Sequence, residues 1–158
     1  MKIFISHKKE DSATAEKIKL MLTLCDVDSY LDLLDPSIVA NGKTLTDHVK
    51  KELNDCTDII VVMSEITRYS QWVPFEVGMS AQIDMPTASY LQDGVELPSF
   101  LSYWPRLKTP KDVELYVKVR RTVEKEIRST YNIIESSNRQ KMETEKFYSQ
   151  LKTQLNQK

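Results

Sequence analysis

An α/β fold, with a parallel sheet covered by helices on both faces, is the architecture this sequence predicts. Short apolar runs alternate with stretches of helical periodicity along most of the chain, as strands joined by crossover helices do. The run Asp58–Ser64 (DIIVVMS) is β-branched and apolar through its centre, which suits a strand buried on both faces. The length of 158 residues fits one domain with a core of its own.

Lys2–Ser6 (KIFIS) reads as the first strand. Asp11–Cys25 follows as a helix, with Ile18, Met21, Leu22 and Cys25 at one-face spacing. Val27–Asp32 is the second strand, and Leu33–Lys43 is a loop punctuated by Asp35-Pro36 and Asn41-Gly42. Thr44–Cys56 is a helix in which Thr44 and Asp47 suit a capping box and Leu45, Val49, Leu53 and Cys56 form the buried stripe. Asp58–Ser64 is the third strand. Val73–Ile83 is a helix with Pro74 tolerated in its first turn. Pro86–Leu91 is a fourth strand, and Pro98–Lys108 holds a short fifth.

Pro110–Ile127 is a long helix with Val113, Val117, Val123 and Ile127 inward. After Asn132–Asn138 a polar helix runs from Arg139 to Asn156, carrying only the thin stripe Phe147, Leu151 and Leu155. Such a stripe cannot stabilise an isolated helix, so it must dock, on its own domain or on another copy. The division expected is a domain over 1–130 and a C-terminal helical extension over 131–158.

Composition narrows the function classes. Net charge is −1, from 22 Lys+Arg and 23 Asp+Glu, so no nucleic-acid partner is expected. The glycines are Gly42, Gly78 and Gly94, which excludes both GxGxxG and the P-loop. Cys25 and Cys56 belong to no CxxC pair and read as reduced core residues of a cytoplasmic protein. His7 and His48 are the only histidines, and Asp32, Asp35 and Asp47 with His48 fit no compact metal site. The apolar run Ile3–Ile5 is too short for a signal peptide, and no window is long enough to span a bilayer.

In a doubly wound sheet, ligands bind beyond the carboxyl ends of the strands, where the strand order reverses. For a flavodoxin-like order this point lies between the first and third strands, which nominates Ser6–Asp11 and Ser64–Trp72. Trp72 and Glu76 are spaced i, i+4, roughly 6 Å apart at Cβ. A carboxylate near a helix N-terminus stays ionised, and beside an aromatic face it suits a cationic transition state. The simpler alternative is a Glu that complements the helix dipole and a core Trp. The stripe Trp72, Phe75, Met79, Ile83 reads as inward. Lys8 and Lys9 could hold phosphates and His7 could donate to a ligand, against the alternative of a solvated loop. Ser64 is a strand end that could touch a substrate.

At these residues the chain resembles the Toll/interleukin-1 receptor (TIR) domain family. The resemblance runs from Lys2 to about Ile127. It is carried by Phe-Ile-Ser-His at 4–7, Tyr30-Leu31-Asp32 before the loop with Asn41-Gly42-Lys43, Asp58–Ser64, and the WxxxE arrangement from Trp72 to Glu76. It implies a flavodoxin-like fold with five parallel strands. It also implies an enzyme that cleaves the nicotinamide–ribose bond of NAD, a NAD glycohydrolase or ADP-ribosyl cyclase, with NAD as substrate and no cofactor. By the same resemblance Glu76 is catalytic, Trp72 lines the pocket, and Ser6, His7 and Lys8 contact substrate, with Asp32, Lys43 and Ser64 as further candidates for NAD binding. The chain is similar to short bacterial TIR proteins of anti-phage defence (Thoeris-like), whose nucleotide product activates a separate effector. Self-association through the 33–43 loop is implied too. Two rivals stand beside this reading: a non-catalytic TIR scaffold acting by protein association, and a nucleoside 2-deoxyribosyltransferase-like enzyme.

Overall fold

The computed structural model describes residues 1–31, 42–70, 72–130 and 136–157. Five parallel strands form one sheet in the order β2-β1-β3-β4-β5. They are β1 (Lys2–Ser6), β2 (Asp28–Leu31), β3 (Asp58–Met63), β4 (Thr87–Leu91) and β5 (Arg106–Leu107). Among the described residues the helices are α1 (Ser12–Leu24), α2 (Gly42–Asn54), α3 (Trp72–Gln82), α4 (Pro110–Thr130) and α5 (Ser136–Gln154). The order reverses between β1 and β3, as a flavodoxin-like sheet requires.

Side chains alternate across β1 and β3 and so divide the core in two. Ile3, Ile5, Ile60 and Val62 pack with Ile18 and Leu22 of α1, Val113 and Val117 of α4, and Phe147 and Leu151 of α5. Phe4, Ile59, Val61 and Met63 pack on the other face with Leu53 of α2 and Val73 and Val77 of α3. All six residues of β3 are buried, as its unbroken β-branched run predicts.

Several boundaries shift. Helix α2 begins at Gly42, two residues before the capping box read at Thr44 and Asp47, so Thr44 lies inside the first turn. The fifth strand shrinks to two residues. The last helix starts at Ser136, inside the expected 132–138 connection. On α3 the expected inward stripe holds only in part: Met79 packs against the core and Trp72 is half-buried, but the fully buried face lies beside them. The buried residues are Val73, Glu76, Val77 and Ser80, while Phe75 and Ile83 are 38% and 42% exposed. The helix is so apolar overall that the spacing of its large residues does not identify the core face. Small Val and Ser pack against the sheet instead.

The thin stripe on α5 docks on its own chain. Phe147 meets Tyr116 of α4 edge-on at 4.9 Å between centroids, and Phe147, Tyr148 and Leu151 join the core. Beyond the helix, Gln157 closes the sheet edge. Its Oε1 accepts from the Arg106 N–H at 2.9 Å and its Nε2 donates to the Arg106 carbonyl at 2.5 Å. A side-chain amide thus does for β5 what a sixth strand would do.

Burial pushes the Cys56 thiol up from 9.0 to about 11, and raises the phenols of Tyr116 and Tyr148 above their ordinary 10.0. These groups ionise at lower pH in the unfolded chain than in the folded one, so their contribution is complete below about pH 9 and lost as pH rises. The denaturant midpoint should therefore hold from about pH 7 to 9 and fall between about pH 9 and 11. Cys56→Ala should remove the earliest part of that fall, and a midpoint flat to pH 11 would contradict the assignment.

Candidate active site at the carboxyl end of the sheet

The polypeptide is led to the site by ordinary local chemistry. Ser70 accepts from the N–H groups of Trp72 at 3.1 Å and Val73 at 3.4 Å, which satisfies donors left open at the start of α3. From that start, Glu76 falls one turn along on the face that meets the sheet, and is 1% exposed. Ser6, the last residue of β1, is fully buried, and its Oγ–H donates to Glu76 Oε2. The two are 70 residues apart in sequence. Ser6 stands in register with Val61 of β3, so the pair lies at the point where strand order reverses.

Trp72 is half-buried and stacks on Phe75, with centroids 4.9 Å apart and planes tilted by 32°. Its indole Nε1–H is buried and has no acceptor among the described residues. A buried donor without an acceptor is costly, and here it belongs to the residue four positions before Glu76.

A second polar cluster sits beside the first. The Asp11 carboxylate, nearly buried, accepts from Ser64 Oγ at 2.7 Å, from Thr67 Oγ1, and from Gln92 Nε2 at 3.2 Å. Gln92 also donates to Thr14 Oγ1 at 3.1 Å. Ser64 Oγ in turn accepts from the N–H groups of Ile66 and Thr67 at 3.2 and 3.0 Å. The hydroxyl of Ser64 is thus engaged in tying the turn after β3 to the start of α1. Asp11 stands at the N-cap position of α1 but makes no cap bond. It is the anchor of this turn, together with Thr67 and Gln92, which sequence reasoning missed. No local spacing could reveal partners 53 to 81 residues away.

The remaining candidates are more dispersed. His7 Nδ1 donates to the Ile5 carbonyl at 3.1 Å, which fixes the ring beside the end of β1. Lys8 is half-buried and Lys9 exposed, at the turn Lys9–Asp11 that precedes α1. Lys43 is exposed in the first turn of α2. Asp32 and most of the 33–43 loop lie outside the described residues. His48, weighed as a metal ligand, shares a hydrogen bond with the Tyr30 hydroxyl at 3.1 Å. Among the described residues no group of three His, Cys, Asp or Glu gathers into a metal-binding arrangement, and no helix is long and apolar enough to cross a membrane.

Chemically, the site offers a carboxylate shielded from water, held by a neutral hydroxyl donor and flanked by a tryptophan. An anion in such surroundings stabilises positive charge far more strongly than it would in water.

Among known families, a match covers more than half of the chain. The family described as Thoeris protein ThsB, TIR-like domain, matches residues 4–89, which spans β1 to β4 and includes both Ser6 and Glu76. No curated protein matches the chain.

Proposed function

The chain belongs to the TIR-like domain family of Thoeris protein ThsB, and from that membership we propose that it is an anti-phage defence enzyme cleaving the nicotinamide–ribose bond of NAD. The observation that supports this reading most directly is the shielded carboxylate of Glu76 at the strand-order reversal, bonded to Ser6. Nicotinamide leaves with the electron pair of the C1′–N bond, which neutralises its pyridinium charge, so no general acid is needed. The ribose gains oxocarbenium character as that bond breaks, as a sugar does in glycoside hydrolysis. Glu76 stabilises this charge, and the buried Trp72 N–H is a donor available to the substrate. Water adding at C1′ and losing a proton gives ADP-ribose. An internal adenine nitrogen or ribose hydroxyl gives a cyclic product, and another nucleophile gives a conjugate. The soluble product acts on a separate effector protein.

The test is incubation of the purified protein with NAD, and separately with 2′-deoxyribonucleosides, followed by mass spectrometry. Nicotinamide release is expected. Turnover of nucleosides alone would assign a deoxyribosyltransferase-like activity instead, and turnover of neither would leave the scaffold reading.

Lys8 and Lys9 follow Ser6 closely enough to meet a pyrophosphate. Replacing both with alanine should raise KM about tenfold with kcat little changed, since what is lost is binding felt equally by substrate and transition state. Steady-state kinetics decide it, and a fall in kcat at constant KM would remove the lysines from phosphate binding.

A further inference from the structure

The hydroxyl of Ser6 has one proton, and that proton is directed at Glu76 Oε2. Ser6 is also fully buried. Its position is set by the sheet rather than by a loop: β1 pairs with β2 on one side and β3 on the other, and Ser6 lies opposite Val61. By contrast, Glu76 reaches the site on a long side chain with three rotatable bonds. A hydroxyl fixed by the middle of a sheet is therefore the rigid partner, and the carboxylate is the adjustable one. Holding Oε2 favours one orientation of the carboxylate plane, and electrostatic stabilisation depends on such preorganisation, because a group that must turn first loses part of its effect.

We infer that Ser6 is a positioning residue: its strand-fixed hydroxyl orients the Glu76 carboxylate, and it acts through Glu76 rather than by touching the substrate. The inference rests on the proposed role of Glu76, and it replaces the direct substrate contact that the family resemblance implied for Ser6. The bland alternative is that Ser6 merely satisfies a buried polar group. The alternatives differ in what they move.

Ser6→Ala should lower kcat for nicotinamide release about ten- to a hundredfold, the effect of losing one hydrogen bond to a charged group. KM should stay within about twofold, because substrate binding is not what Ser6 provides. In the Glu76→Gln background the same change should have almost no further effect, since residues acting as a unit are not additive. Ser6→Thr, which keeps a hydroxyl, should recover part of the loss. A rise in KM at constant kcat would make Ser6 a substrate contact and overturn the inference, as would full additivity with Glu76→Gln.

One readout does not depend on the reaction. In protein labelled with 13C at glutamate carboxyls, the Glu76 resonance is assigned by its disappearance in Glu76→Gln. It should shift in Ser6→Ala while the other glutamate resonances stay in place. An unmoved Glu76 resonance overturns the inference whatever the substrate. Absence of nicotinamide release from the wild-type protein, with a shifted resonance, would instead defeat the NAD reading and leave the positioning role standing.

Discussion

Glu76→Gln should reduce nicotinamide release by about 10²–10³, the usual cost of removing one electrostatic partner of a transition state. The substitution is close to isosteric, and the glutamine carbonyl can still accept the Ser6 hydroxyl that Glu76 Oε2 accepts now. What disappears is the negative charge that the proposed mechanism sets against the developing oxocarbenium. Stability should change little, because a buried anion costs more to fold than the neutral amide that replaces it. The variant should thus melt at or above the wild-type temperature while turning over far more slowly. KM should change little if Glu76 acts on the transition state alone. Nicotinamide release measured beside a thermal melt separates the possibilities. A folded variant with near-normal release would take Glu76 out of the mechanism. A variant that unfolds would make the residue structural.

Much of this arrangement was legible in the sequence, and where legibility stopped has physical reasons. The unbroken run Ile59–Met63 announced a strand covered on both faces, and every residue of β3 is buried. The carboxyl ends of the first and third strands were nominated from fold class alone, and Ser6 meets Glu76 there. The pairing itself was not legible, because a contact across 70 residues leaves no trace in local periodicity. The burial of Glu76 was not legible either. Phe75 on α3 and Ile83 just after it are exposed, while Val73, Val77 and Ser80 pack on the sheet beside Glu76. Size and hydrophobicity therefore marked the buried face of the helix only in part, since Met79 packs on the core but Phe75 does not. The anchor Asp11 was hidden for another reason. Before a helix an aspartate reads as a cap, and only the fold brings Ser64, Thr67 and Gln92 to it. The C-terminal helix shows the same limit: the thin stripe predicted docking, and Tyr116 and the core beneath it decide where.

Arg120→Ala should be the most destabilising single change outside the core, costing about 3–5 kcal/mol by leaving a buried charge without its partner. Asp58, at the start of β3, is fully buried. Its Oδ1 accepts from Arg120 Nε at 3.0 Å and from the Tyr116 hydroxyl at 2.8 Å, and its Oδ2 accepts from Thr57 Oγ1 at 2.6 Å. Arg120 Nη1 also donates to Glu143 of α5, and the guanidinium lies over Phe147, with Cζ 5.9 Å from the ring centroid. One side chain on α4 therefore ties the sheet to the last helix. Losing it strands Asp58 with neutral donors only and releases Glu143. For a domain of this size the loss corresponds to a fall in Tm of about 10 °C. Replacing both members by neutral residues of similar shape, Arg120→Met with Asp58→Asn, should recover much of the loss, since a buried pair is costly mainly when broken from one side. Hydrogen exchange in α5 should rise in Arg120→Ala, as the helix loses its tie to β3. Catalysis per folded molecule should not change. Ser6 and Asp58 lie opposite Val61 and beside Ile3 respectively, three residues or about 10 Å apart along the strand axis, so the ion network is at the far end of the sheet from the site. A melt within about 1 °C of wild-type would show that the guanidinium contributes nothing net. A fall in kcat with normal stability would show that the two ends of the sheet are coupled, against the separation argued from the register.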